Sequence, residues 1–258
     1  FIKKYPTQKK LSEASEDQIL ALWSGLGFYR RARNIFKTKE IIKEKYNNRF
    51  PKEFHQLLEL PGIGKSTAGA IMSLAYQNPH PILDGNVKRV ITRLVNKNID
   101  LLKESQLWDL SSQFVNKENC FAYTQGIMDL GATVCTPTNP SCKDCPVQNQ
   151  CMSAFNIINN KKRNVAQLKK VIPMNLSLIQ TEDSLLLVKN EASSIWKNLW
   201  IPFESRSLES YTNSFKLTSS QKIQHELTHR RLNINLSTYM SSKESEIETN
   251  QQYKWIKK

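Results

Sequence analysis

The stretch CTPTNPSCKDCPVQNQC places Cys135, Cys142, Cys145 and Cys151 in one short loop, with the pattern Cys-x6-Cys-x2-Cys-x5-Cys. Thiols crowded this closely, in a chain that does not open on a signal peptide, point to a metal site before a disulfide framework. Zinc and an iron–sulfur cluster both accept four thiolates, and spacing alone does not choose between them. Pro137, Pro140 and Pro146 keep the loop out of a helix and help it wrap an ion. Cys120 stands apart and reads as a buried core thiol.

Upstream of this loop the chain reads as helices. Apolar residues recur at intervals of three and four, with Gly or Pro between the runs, over 16–23, 30–46, 53–60, 65–76, 85–95, 105–116 and 121–131. Downstream the pattern changes. Lys161 to Lys170 carries five cations and no acid, which suits an exposed linker or a phosphate-facing strap. VIPMNLSLIQ and SLLLVKN then follow as β-type runs separated by TED, a hairpin pattern. With 258 residues, two domains are expected, the second of mixed α/β type from about Val171.

The net charge of +14 favours a polyanionic partner, because Lys and Arg gain by displacing counterions from phosphates, although a lysine-rich proteome gives the same balance. Residues 1–152 hold 21 Lys/Arg against 14 Asp/Glu and the rest hold 16 against 9, so charge does not select a half. No apolar run approaches the roughly 20 residues of a membrane span, so no membrane partner is expected and a cytoplasmic protein is. The chain starts at Phe1 and stops on YKWIKK, and is expected to be a piece of a longer protein.

Two further motifs carry chemistry. In FHQLLELPGIGKSTAGAIMSLAY an apolar helix runs into a tight LPGIG turn and a second helix from Lys65. Gly62 and Gly64 allow the turn and a close approach of backbone to ligand, and the N-terminus of the second helix offers N–H groups to an anion such as a DNA phosphate. An ordinary helix corner would look the same. In ILDGNVKRV, Asp84 stands at the lip of a helix whose apolar stripe is Val87, Val90, Ile91 and Leu94. That position suits a cap, and it also suits a carboxylate kept charged by the helix dipole.

Taken in order, the LPGIG hairpin, the LDGN aspartate and the cysteine loop resemble the helix-hairpin-helix DNA glycosylase superfamily, whose members carry a 4Fe-4S cluster. The endonuclease III branch has a nucleophilic lysine at the position of Ser66 and Thr-His after its aspartate, where this chain has Gly85 and Asn86. Both differences point to the MutY family of adenine glycosylases. LWSGLGFYRRARN is similar to that family's LWxGLGYYxRARN, with Phe28 in place of the first Tyr and Tyr29 beside it. SSIWKNLWIPFE and HELTH resemble the family's SGLWGGLWEFP and HxFSH, with Thr228 and His229 at the matching positions.

The resemblance implies a mainly α helix-hairpin-helix glycosylase domain over 1–152, with the hairpin at about 53–76 and the cluster loop at 135–151. A basic linker at 153–170 and a smaller α/β Nudix-like (MutT-like) domain at 171–258, which reads 8-oxoguanine through Thr228 and His229, complete the expected layout. It implies Asp84 as the catalytic aspartate, with Asn86, Lys88 and Ser66 as its neighbours. Phe28, Tyr29, Gly62, Gly64, Lys65 and Thr67 are expected at DNA, and Cys135, Cys142, Cys145 and Cys151 on the 4Fe-4S cluster. The expected substrate is double-stranded DNA with adenine opposite 8-oxoguanine or guanine, and the expected enzyme is a monomer.

Breaking a base–sugar bond builds positive charge on the sugar, so it calls for a carboxylate there and an acid at the base. The family's acid, a glutamate, and its Gln-Thr-Gln segment lie ahead of Phe1, so this stretch alone is expected to be inactive. Ser66 in place of lysine implies a monofunctional glycosylase. The alternatives are a non-catalytic iron–sulfur protein that recognises lesions and, against Ser66 and the second domain, a lyase of the endonuclease III type. No Nudix glutamate cluster is visible, which argues against nucleotide hydrolysis.

Overall fold

The structure, a computed structural model, describes residues 1–156, 169–191, 195–205, 215–242 and 252–258. The chain divides into two compact units, Phe1–Lys162 and Arg163–Lys258. Most of the expected basic linker, 157–168, lies outside the described residues.

The first unit is helical: α1 Gln8–Ser12, α2 Glu16–Leu22, α3 Arg30–Tyr46, α4 Phe54–Leu58, α5 Lys65–Ala75, α6 Gly85–Leu94, α7 Glu104–Phe114 and α8 Cys120–Asp129. All seven helices expected from periodicity form, with ends shifted by a residue or two. Helix α1 was not expected, since QKKLS is too short to show a period; it is held by Thr7, whose hydroxyl accepts from the Lys10 N–H. Helix α2 starts at a capping box in which Ser15 and Gln18 satisfy each other's backbone N–H groups.

Among the described residues of this unit, two apolar clusters bring the helices together. Helices α3, α4 and α5 bury Ile42, Leu57, Leu60, Ala68 and Met72. Helices α6, α7 and α8 bury Val87, Val90, Ile91, Leu107, Leu110 and Ile127 together with Ile82 and Leu83, the two residues that lead into Asp84. The stripe read from the sequence of α6 is therefore its core face, and the polar side stays free for other partners. Helix α8 ends in a wider π turn, Leu130–Val134, before Cys135.

The described part of the second unit is a sheet of β1 Lys170–Gln180, β2 Ser184–Lys189, β3 Trp200–Ile201, β4 Phe203–Glu204, β5 Lys216–Glu226, β6 Arg230–Met240 and β7 Tyr253–Lys257. The order is β3-β2-β1-β6-β5, with β4 on β1 and β7 on β2. The expected β1–β2 hairpin forms, pairing Ile179 with Leu186 and Gln180 with Leu185. Strands β1 and β6 run parallel in unbroken register from Lys170–Arg230 to Gln180–Met240, making the sheet mixed. One face buries Leu176, Leu232 and Ile234, the other Ile179, Leu186, Phe203 and Phe215. Apolar residues are buried on both faces, and the described residues of this unit form strands and no helix where a mixed α/β unit was expected. No helix among the described residues is long and apolar enough to cross a membrane.

Candidate functional site

Asp84 is the N-cap of α6. Its Oδ1 accepts the N–H groups of Asn86 and Val87, each at 2.8 Å, and the side chain stays exposed. The carboxylate thus satisfies two of the orphan donors at the helix start while its other oxygen is open to a ligand.

The chain reaches Asp84 along one face of α5 made of small residues. The Ser73 hydroxyl accepts from the His80 N–H at 3.2 Å, and a Cβ at Gly69 would lie 2.3 Å from the Pro81 carbonyl oxygen. Ser66 Oγ then accepts the Leu83 N–H at 2.9 Å. Ser66, Gly69 and Ser73 fall three and four residues apart, so they line one side of the helix and let the segment lie close to it.

The hairpin before α5 turns at Gly62, whose φ is +84°. From α3, Thr38 donates to the Pro61 carbonyl at 3.2 Å and Asn34 packs against Gly62. No side chain caps α5: its N-cap is Gly64, where an added Cβ would meet nothing within 4 Å. The helix start is therefore open, with Lys65 and Thr67 exposed on it. The Lys65 ammonium lies 4.1 Å from the centre of the Trp108 ring on α7. Lys88, a turn beyond Asp84, faces Glu104 on α7, with its Nζ 3.9 Å from the carboxylate.

Phe28 sits in a loop of left-handed residues, Gly25, Gly27 and Phe28 with φ of +81°, +64° and +47°. The Trp23 indole N–H closes the loop on the Gly27 carbonyl at 3.0 Å. Phe28 is 71 % exposed and Leu26 60 %, so two apolar side chains project into solvent. The Arg31 guanidinium carbon lies 5.3 Å from the centre of the Trp23 ring and 5.6 Å from that of Phe28, and Tyr29 is the half-buried N-cap of α3.

The polar side of α6 meets the cysteine loop. Arg89 donates to the Gly131 carbonyl at 2.6 Å, the Cys135 carbonyl at 2.7 Å and the Asn86 side chain at 2.9 Å. Arg93 donates to the Thr136 carbonyl at 2.8 Å, the Pro137 carbonyl at 3.0 Å and Cys135 Sγ at 3.3 Å. Gly131 is needed for this approach, since a Cβ there would lie 2.7 Å from that of Asn86. Burial lowers the pKa of the Arg89 guanidinium, while neighbouring Cys135 and Asp84 raise it.

Cys135, Cys142, Cys145 and Cys151 line one cavity together with Arg93, Val134 and Pro140. Burial pushes the Cys151 thiol above its usual range, and the charges of the other three cysteines add to that rise. Among the described residues no three His, Cys, Asp or Glu side chains gather tightly enough to hold a single metal ion. Cys120 is buried, as expected, with its thiol on the Ser73 carbonyl.

Thr228 and His229 belong to the second unit and are described there alone. Both are exposed in the turn joining β5 to β6, so HELTH is half edge strand and half turn. Asn198, which replaces the second glycine of the resembled motif, keeps a left-handed φ of +63°, a conformation that asparagine tolerates better than most residues.

The structure thus gathers Asp84, Asn86, Ser66 and Lys88 around the start of α6, with the hairpin residues on α5 next to them. Sequence reading missed Arg89, Arg93 and Trp108. The i, i+4 spacing of Arg89 and Arg93, opposite the apolar stripe, was the available signal for the first two.

Residues 1–107 match the family model described as HhH-GPD superfamily base excision DNA repair protein. The chain is 42% identical over 206 residues to an adenine DNA glycosylase of Buchnera aphidicola subsp. Schizaphis graminum, covering 78% of this chain and 59% of that protein. An adenine DNA glycosylase of Buchnera aphidicola subsp. Baizongia pistaciae is 37% identical over 251 residues, covering 91% of this chain and 70% of that protein. The chain therefore spans 59% to 70% of the length of these two relatives. Among solved structures, a thermostable thymine-DNA glycosylase aligns with TM-score 0.55 and 27% identity over 61% of this chain and 74% of its own. A trapped endonuclease III–DNA covalent intermediate aligns with TM-score 0.52 and 26% identity, over 60% and 72%. The helical unit matches these glycosylase folds, the hairpin and capped aspartate lie within it, and the chain belongs to the adenine DNA glycosylase family of the HhH-GPD superfamily.

Proposed function

We propose that the protein, at the length of its relatives, hydrolyses the N-glycosidic bond of adenine mispaired with 8-oxoguanine or guanine in double-stranded DNA, and leaves the backbone intact. The observation that carries this is Asp84, an exposed carboxylate held by two helix N–H groups and fixed through α6 to the cysteine loop. As the bond from C1′ to the base stretches, its electron pair leaves with the base and positive charge grows on the sugar. A carboxylate held at that point stabilises the charge without having to reorganise. Water adds its hydroxyl to C1′, and one proton ends on the departing adenine.

The neighbours support this chemistry. The uncapped start of α5 with Gly64, Lys65 and Thr67 suits a DNA phosphate, and Phe28 suits a wedge that offsets the few kcal/mol needed to take a base out of the stack. Ser66 offers no amine to attack C1′, which fits base release without strand cleavage. Thr228 and His229, exposed at a turn of a Nudix-like second unit, have the donors and acceptors to read 8-oxoguanine.

The four cysteines are proposed to hold a 4Fe-4S cluster. Their donor set and shared cavity fit it. When bound, the cluster closes the loop on itself and supplies a structural staple.

The test is single-turnover base release from a duplex with adenine opposite 8-oxoguanine, using protein of the relatives' full length. Asp84→Asn is expected to slow release by about 100-fold or more while DNA binding persists. Release by Asp84→Asn at the parental rate would overturn the role given to Asp84, no release by the parent protein would make it a lesion binder, and strand breaks before alkali would contradict the monofunctional reading.

A further inference from the structure

We propose that Ser66 and Ser111 are positioning residues that clamp the peptide unit leading into Asp84. The unit joins Ile82 to Leu83. Ser111 on α7 donates its hydroxyl to the Ile82 carbonyl at 2.7 Å, and Ser66 on α5 accepts the Leu83 N–H at 2.9 Å. Two helices thus grip both polar ends of one peptide, a single residue ahead of the carboxylate.

The surroundings make the grip consequential. Ile82 and Leu83 are 2 % and 6 % exposed, and Ser111 is 0 % exposed. In this non-helical stretch between α5 and α6 neither polar group of the peptide takes part in a helix or strand ladder, and an unpaired buried peptide group is costly. With both ends satisfied the peptide plane has one orientation, and it sets the direction from which the chain enters Asp84. A carboxylate displaced by about 1 Å from a reacting sugar can lose on the order of 100-fold in rate.

This gives Ser66 a role beyond the absence of a lysine. The Leu83 N–H needs an acceptor, and a lysine ammonium at position 66 has none to offer. A lysine there would add an amine and release one side of the clamp together. The reading rests on the proposed role of Asp84.

The experiment compares Ser66→Thr, Ser66→Val, Ser111→Ala and Asp84→Asn in protein of the relatives' full length. Each is measured for single-turnover base release from the duplex with adenine opposite 8-oxoguanine, and for affinity to that duplex. Ser66→Thr keeps a hydroxyl acceptor, and Ser66→Val has nearly the same shape without it. The expected result is near-parental release for Ser66→Thr and a drop of about 10- to 100-fold for Ser66→Val and Ser111→Ala, with affinity unchanged in all three. A general loss of folding would lower affinity together with rate, and would also overturn the proposal. Parental rates for Ser66→Val and Ser111→Ala beside a slow Asp84→Asn would sink the clamp and leave the function standing. A parental rate for Asp84→Asn would sink both.

Discussion

At Gly62 the backbone takes φ +84° and an added Cβ would lie 2.4 Å from Nδ2 of Asn34 and 3.0 Å from its Cβ. Two independent penalties meet there, a left-handed backbone and a close neighbour from another helix. Gly62→Ala is expected to destabilise the protein by about 1–3 kcal/mol in denaturant unfolding. Adding Asn34→Ala should recover the part due to the Asn34 amide and leave the backbone part and the close approach of the Cβ at position 34; full recovery, or none, would contradict the account. Gly64, by contrast, has an ordinary φ and open space beside it, so its glycine is not required by the fold itself. The sequence pattern Gly-x-Gly made the two look equivalent, and their environments separate them. Asp84 was legible as a cap from its position before Val87, Val90 and Ile91, because capping is local. Ser111 was not, since it differs in nothing local from Ser112, and only the way α7 packs turns one of them inward.

The β5–β6 hairpin shows what an element decides. Its pairing runs from Glu226–Arg231 to Lys216–Met240, with an irregularity between Leu217 and Ser219, and β5 is the exposed edge of the sheet. At its tip Glu226 takes hydrogen bonds from Lys169 and Arg231, which hold its carboxyl below the usual range. A carboxyl whose pKa is lowered by folding adds stability above its unfolded pKa and loses it as pH falls through the folded one. The hairpin that carries Thr228 and His229 is therefore expected to loosen under acid conditions. Between about pH 5 and pH 3 the parent should lose more thermal stability than Glu226→Gln, which has no such charge to lose. Equal losses in the two proteins would show that this cluster contributes nothing. HELTH alone left edge strand and 8-oxoguanine reader both open; the register of β5 against β6 places His225 and Glu226 in the strand and Thr228 and His229 in the turn.

On the scale of the whole molecule, Asp84 and the cysteine loop are parts of one assembly. Arg89 and Arg93 reach from α6 to carbonyls of residues 131, 135, 136 and 137, and the Met152 N–H returns to the Leu94 carbonyl at 3.0 Å. A loop that loses its shape should therefore loosen the helix that Asp84 caps. Removing a proposed cluster ligand by Cys145→Ser is expected to lower the melting temperature and slow base release in full-length protein, although the residue lies far from Asp84 in sequence. Unchanged melting and release would show that the arginine contacts do not couple the two. Seven helices, the β1–β2 hairpin, the cysteine loop and the capped aspartate could all be read from the sequence, because periodicity, turn chemistry and capping act over a few neighbouring residues. Tertiary structure alone decided that β1 lies parallel to β6, that Arg89 and Arg93 serve the cysteine loop, and that Ser66 and Ser111 hold one peptide between them. Each of these joins groups separated by 17 to 60 residues, and which groups meet across such spans depends on how whole faces pack, since no local preference records it.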